Sequence, residues 1–153
     1  ELIVAATVTP GLLTAVPEAE RAQLQRFGRE LGIAYQLCDD VVSLWGTSAL
    51  TGKRAYGDIK ERKKTLPILL ADAQLAPTGQ ARLRTLYTGT NKLSDEDCRE
   101  VLDLLSMADS KAAVEAEIKT RAQTAKVAAT QLNLASDKQA VLVELVDSLL
   151  PAV

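Results

Sequence analysis

Two adjacent carboxylates, Asp39 and Asp40, follow Tyr35-Gln36, and a run of cations, Lys60, Arg62, Lys63 and Lys64, comes shortly after them. Gly52-Lys53 and Asp58 lie between the two groups. The turns preceding the aspartates are apolar, so Asp39 is expected on a largely buried helix, where a charge without a partner is costly. Magnesium is a natural partner: it is hard, takes oxygen ligands, and is held by one or two carboxylates plus substrate phosphates and water. Lys53 follows a glycine in a flexible segment and can reach a phosphate as a point charge. Lys63 and Lys64 stand just before a helix start. The resulting order of acid, base, acid, base suits a magnesium–diphosphate complex, in which the metal must be held and the anion neutralised. Each piece alone has a plainer reading, the Asp-Asp pair as two solvated acids and the basic run as a solvated face. Neighbouring helical positions differ by about 100°, so Asp39 and Asp40 cannot share a face. Asp39 shares its face with Gly32, Tyr35, Gln36 and Ser43.

The elements that must position these groups read as helices throughout. The sequence is rich in Ala, Leu, Lys, Glu, Gln and Arg, and strand signals are weak. Residues 2–15 are small and apolar on nearly all sides, which predicts a buried helix interrupted at Pro10-Gly11. Pro17, Glu18 and Glu20 open a long helix to about Trp45. Its buried stripe is Leu24, Phe27, Leu31, Ala34, Cys38, Val41 or Val42, and Trp45. Gly28 and Gly32 are four apart on it and imply a close approach, by another helix or by a ligand. Residues 46–59 read as loop. Helices follow from Leu66-Pro67, over roughly 79–88, and from the capping box Ser94-Asp95-Glu96-Asp97. Asp109 or Ser110 caps a further helix to about Leu132. Ser136 caps the last, whose apolar face is Val141, Leu142, Leu145, Val146 and Leu149.

Composition narrows the chemistry. The 153 residues suit one domain, with 47% hydrophobic and 25% charged residues, and a net charge of −2 gives no overall pull toward nucleic acid. Aromatic residues make up 3%, too few for base-stacking platforms. There is no histidine, which excludes imidazole catalysis, imidazole metal ligation and Ser-His-Asp triads within this chain. Two widely separated cysteines, Cys38 and Cys98, suit a reduced, cytoplasmic protein rather than a disulfide framework. No apolar run is long enough to span a membrane, and the apolar start lacks the basic region of a signal peptide.

The motifs in sequence order are Gly32-x-x-Tyr35-Gln36-x-x-Asp39-Asp40, Gly52-Lys53, Asp58-Ile59 and Lys63-Lys64-Thr65-Leu66-Pro67. Together they resemble the second aspartate-rich region of the trans-isoprenyl diphosphate synthases (polyprenyl synthetases), of the farnesyl and geranylgeranyl diphosphate synthase kind. No single piece is specific, but the combined spacing is. The resemblance implies an all-α bundle of the isoprenoid synthase type around a deep cavity, of which residues 1–153 form the C-terminal part. The implied reaction ionises an allylic diphosphate and joins it to isopentenyl diphosphate, with three Mg²⁺ ions stabilising the leaving diphosphate. By the same resemblance Asp39 is a magnesium ligand, and Asp40 a water-mediated or orienting partner. Lys53 binds the allylic diphosphate and Lys63 lies near it. Gln36 and Tyr35 line the cavity by the reacting carbons, and Asp58 supports the metal ligands from behind.

There are two departures from the family pattern. Ser43 stands where the motif Asp-Asp-x-x-Asp has its last carboxylate, although Leu44-Trp45-Gly46 matches a bacterial variant. A first aspartate-rich motif is absent. The resemblance therefore implies an N-terminal half supplied from elsewhere, an isolated chain that is inactive, and a homodimer as the usual assembly. A class I terpene cyclase and a non-catalytic helical subunit are the alternatives.

Overall fold

Helix α2, Glu18–Trp45, is the longest of the eight helices found among the described residues, and they contain no strand. The computed structural model describes residues 2–46 and 56–150. The other helices are α1 (Leu2–Leu13), α3 (Gly57–Lys60), α4 (Leu66–Gln74), α5 (Pro77–Thr88), α6 (Asp95–Met107), α7 (Ser110–Thr130) and α8 (Ser136–Leu149). The chain divides into two compact units, Glu1–Cys38 with Ala116–Val153, and Asp39–Glu115. Both α2 and α7 run from one unit into the other.

In the first unit, Phe27 and Leu31 of α2 pack with Ala125, Ala128 and Ala129 of α7 and Val146 of α8. The three alanines present a small-residue face that lets the large side chains of α2 seat closely. Arg121 of α7 joins Glu117 at 2.7 Å and Glu30 of α2 at 2.9 Å. These bonds raise the guanidinium's already high pKa, the one to Glu30 foremost.

Helix α1 crosses α2 at Gly28. A Cβ there would collide with Thr7 Oγ1 and lie 3.0 Å from Val4 Cα. The close approach expected at the glycines is thus made by a helix at Gly28. At Gly32 an added Cβ would only touch Ile3, at 3.6 Å. From the other side, a Cβ at Gly11 would lie 2.7 Å from Leu24 Cδ1. Helix α1 departs from expectation in two ways. It runs unbroken through Pro10, and Gly11 is its one buried residue, whereas Leu2 and Leu13 are more than four-fifths exposed. A sequence apolar on every side gives no indication of which side is covered.

The second unit is built on α6. Ser94 and Asp97 form the expected capping box: the Asp97 amide donates to Ser94 Oγ, and the Ser94 amide donates to the Asp97 carboxylate. Cys98, Val101, Leu104 and Leu105 are the buried face of α6, packed with Ile59, Ile68, Leu83 and Leu86. Two bidentate pairs tie the outer surface, Arg82 to Glu100 and Arg84 to Asp72.

Other expectations needed adjustment. Residues 57–60 form a short helix that overlaps the end of the 46–59 segment read as loop. Val42 is exposed, and the buried stripe of α2 includes Leu37 and Leu44. Ser110 is wholly buried and donates to Leu105 O. In α8 the N-cap is Ala135 rather than Ser136. Val141 and Leu145 are exposed, and Val146 is the buried residue.

The glycine crossing makes a discriminating prediction. Alanine gains about 1 kcal/mol over glycine in a helix interior, and overpacking costs about 1–3 kcal/mol. In thermal or urea unfolding, Gly28→Ala should destabilise the protein and Gly32→Ala should be neutral or stabilising. Equal effects at the two sites would contradict the crossing.

Candidate functional site

The two aspartates differ in environment, in the opposite sense to the expectation for Asp39. Asp39 is exposed, and Asp40 is buried at 7% exposure. The apolar turns preceding Asp39 bury other positions of the helix, because the seam passes through Leu37, Cys38 and Val41. Asp39, Asp40 and Ser43 belong to the second unit, and each makes a polar or electrostatic contact. Tyr35 and Gln36 belong to the first unit and are exposed on α2, Tyr35 at 48%.

The Asp39 carboxylate and the Ser43 hydroxyl are four residues apart on one helix, a spacing that puts side chains on the same side. Both are hard oxygen donors, of the kind Mg²⁺ prefers. The neighbouring soft donor, Cys38, is buried, and burial pushes its thiol pKa up, away from the thiolate form. The donor chemistry of this face therefore fits magnesium. Among the described residues, no group of three or more Asp, Glu, Cys or His side chains could hold a metal ion by itself. Lys53, the principal phosphate-binding expectation, lies outside the described residues, as does Gly52.

From Tyr56 onward, the structure separates the contacts of the basic cluster. Lys60 donates to Asp95 at 2.6 Å and lies over the Tyr56 ring. Arg62 donates to two backbone carbonyls, Leu86 O and Asn91 O. Lys63 donates to Asp58 Oδ1 at 2.6 Å and lies 3.3 Å from Glu61 Oε2. The Asp58 bond, followed by that to Glu61, raises the Lys63 ammonium pKa above the usual lysine range. Lys64 lines a cleft with Ile68, Leu69 and Tyr87. Tyr87 is 9% exposed, and burial drives its phenol pKa well up.

For Lys60 and Arg62 the structure therefore favours fold-holding contacts. Lys63 and Asp58 are brought together as a pair whose acid side chain is 14% exposed. Sequence reasoning missed the anchors of these cations. Asp95, which opens α6, was visible only as a capping acid, and two of the anchors are backbone carbonyls that carry no sequence signal.

This all-α arrangement matches part of the isoprenyl diphosphate synthase fold. The model of the polyprenyl synthetase family matches residues 1–105, and the chain belongs to that family. The (2E,6E)-farnesyl diphosphate synthase of Mycobacterium tuberculosis (strain ATCC 25618 / H37Rv) is 35% identical over 106 residues, which cover 68% of this chain and 30% of that protein. The geranylgeranyl diphosphate synthase of the same organism is 33% identical over 97 residues, covering 63% of this chain and 27% of that protein. The matched stretches thus cover less than a third of these curated relatives' length. Among solved structures, a polyprenyl synthase from Caulobacter crescentus CB15, complexed with calcium and isoprenyl diphosphate, is 29% identical with a TM-score of 0.83. That match covers 99% of this chain and 46% of the other. A polyprenyl synthetase from Streptomyces coelicolor A3(2) shares the fold with a TM-score of 0.88 at 23% identity, over 97% of this chain and 45% of its own.

The Asp58–Lys63 pair sets a pH expectation. Its contribution is present while Lys63 is protonated and is lost as pH rises through the raised pKa. In an Asp58→Asn variant the Lys63 pKa should fall back toward the ordinary lysine range, as read by NMR titration of isotopically labelled lysine side chains. A Lys63 titration unchanged by the substitution would contradict the pairing.

Proposed function

We propose that this chain forms one wall of the catalytic site of a trans-prenyltransferase, the wall that receives the diphosphate of the allylic substrate. The observation that carries the reading is the placement of its charged groups. An exposed Asp39 stands on α2, and Asp58 of α3 is paired with Lys63 on the turn that follows that helix. The similarity to the Caulobacter synthase, solved with isoprenyl diphosphate and calcium, supports a diphosphate and a divalent cation as ligands.

In this reading Asp39 ligates Mg²⁺. Ser43 and the buried Asp40 support it, and Asp58 acts through Lys63. A bound magnesium ion stabilises the charge that develops on a departing diphosphate, and three such ions serve the complete enzyme. Lys63 and Lys53 hold the diphosphate oxygens. Tyr35 and Gln36 line the path of the allylic carbons, and isopentenyl diphosphate is the acceptor. The remaining ligands come from a segment outside this chain, an N-terminal half carrying the first acidic motif. The isolated chain is inactive, and the complete enzyme works as a cytoplasmic homodimer. No helix among the described residues is long and apolar enough to cross a membrane.

In the full-length protein, Asp39→Ala should lower prenyl transfer on the order of a hundredfold or more, the scale of losing one preorganised transition-state contact. Raised Mg²⁺ should restore part of it. Turnover near that of the unsubstituted protein would overturn the assignment. Consumption of the allylic diphosphate should require added isopentenyl diphosphate. Release of diphosphate from the allylic substrate alone, with a cyclic hydrocarbon product, would indicate a cyclase instead.

A further inference from the structure

The turn after α3 has the hydrogen-bond pattern of a Schellman cap. Glu61 is the C-cap. The next residue, Arg62, takes a left-handed backbone conformation with φ 52°. The Arg62 amide donates to Ile59 O at 2.8 Å and the Lys63 amide to Asp58 O at 3.0 Å. These are the two bonds that define the motif, and they make Lys63 the residue directly opposite Asp58. The side chains repeat the pairing, with Lys63 Nζ bonded to Asp58 Oδ1 at 2.6 Å.

The left-handed position of this motif is normally glycine, sometimes asparagine, because an ordinary side chain is strained there. Here it is an arginine. Its guanidinium donates from Nε to Leu86 O at 2.8 Å and from Nη2 to Asn91 O at 2.6 Å. Leu86 O is one of the last carbonyls of α5, which have no partner inside their own helix. The fork therefore grips the end of α5 and the loop leading to α6, and holds the backbone of residue 62 in a conformation its side chain disfavours.

We infer that Arg62 is a positioning residue: its side-chain clamp stands in for the freedom of a glycine, and the left-handed turn it holds aims Lys63 at the substrate's diphosphate. The inference rests on the reading above that Lys63 meets that diphosphate. What the site needs at position 62 is the turn, so the clamp becomes dispensable once the residue can adopt the turn without strain.

The test compares Arg62→Ala, Arg62→Gly and Arg62→Asn in the full-length protein. All three remove the clamp, and they differ in their tolerance of the left-handed conformation. Arg62→Ala should raise KM for the allylic diphosphate about tenfold with kcat changed less than about twofold, the pattern of lost substrate binding rather than lost chemistry. Arg62→Gly should return KM to within about threefold of the unsubstituted value, and Arg62→Asn should fall between. Hydrogen exchange at the Lys63 amide should speed up in Arg62→Ala and stay protected in Arg62→Gly. Should Arg62→Ala fail to fold, the same ordering between Arg62→Asn and Arg62→Gly decides the matter. The inference is overturned if Arg62→Ala leaves KM and exchange unchanged, or if Arg62→Gly is impaired as much as Arg62→Ala. Lys63→Ala separates this from the functional reading. An unchanged KM there overturns the substrate assignment, while the exchange arm still decides whether the turn holds Lys63.

Discussion

The structure depends on one constraint, the burial of a single seam along the 28-residue helix α2. Phe27 and Leu31 enter the core of the first unit and Leu44 enters that of the second. Each fully buried side chain of this size contributes about 1.5–3 kcal/mol, enough to fix the rotation of each part of the helix within its own unit. Once that rotation is fixed, Tyr35, Gln36 and Asp39 are committed to the exposed side and Asp40 to the buried one. An amphipathic helix thus sorts two chemically identical neighbours into different environments.

The second unit works through a denser set of polar contacts. Asp95 holds Lys60, two backbone carbonyls hold Arg62, and Asp58 holds Lys63. Exposed ion pairs contribute little to stability. Their consequence here is directional, because each cation is drawn toward its own partners, Arg62 to two carbonyls and Lys63 to Asp58 and Glu61. Asp58 is the most buried of the carboxylates paired with these lysines, with a side chain 14% exposed against 63% for Asp95. That difference makes the Asp58–Lys63 pair the more constrained of the two.

Much of this was legible in the sequence. The period of Phe27, Leu31, Ala34, Cys38 and Val41 gives the seam of α2, and Ser94-x-x-Asp97 gives the start of α6. The glycine at 28 announces a close neighbour. Family membership was legible because several weak signals keep their spacing from Gly32 to Pro67. Less was legible where no periodicity or side-chain partner marks the outcome. Helix α1 is apolar on every side, so its exposure could not be read. In α8 the apolar residues outnumber the positions that one face can bury, and Val141 and Leu145 are left outside. The left-handed backbone at Arg62 runs against residue preference, and the carbonyls that stabilise it are invisible in a list of side chains. Lys53 lies outside the described residues, so its role rests on the motif alone.

The central claim is that α2 and the turn after α3 present Asp39 and Lys63 to a metal-bound diphosphate. Anomalous diffraction from crystals of the full-length protein with Mn²⁺ in place of Mg²⁺ and a non-ionising allylic diphosphate analogue tests it most directly. The account predicts a Mn²⁺ peak ligated by an Asp39 carboxylate oxygen and by the analogue's diphosphate, with Lys63 Nζ within hydrogen-bond distance of a diphosphate oxygen. A diphosphate bound with its metal ions held by other residues, and Asp39 outside their coordination, would contradict it.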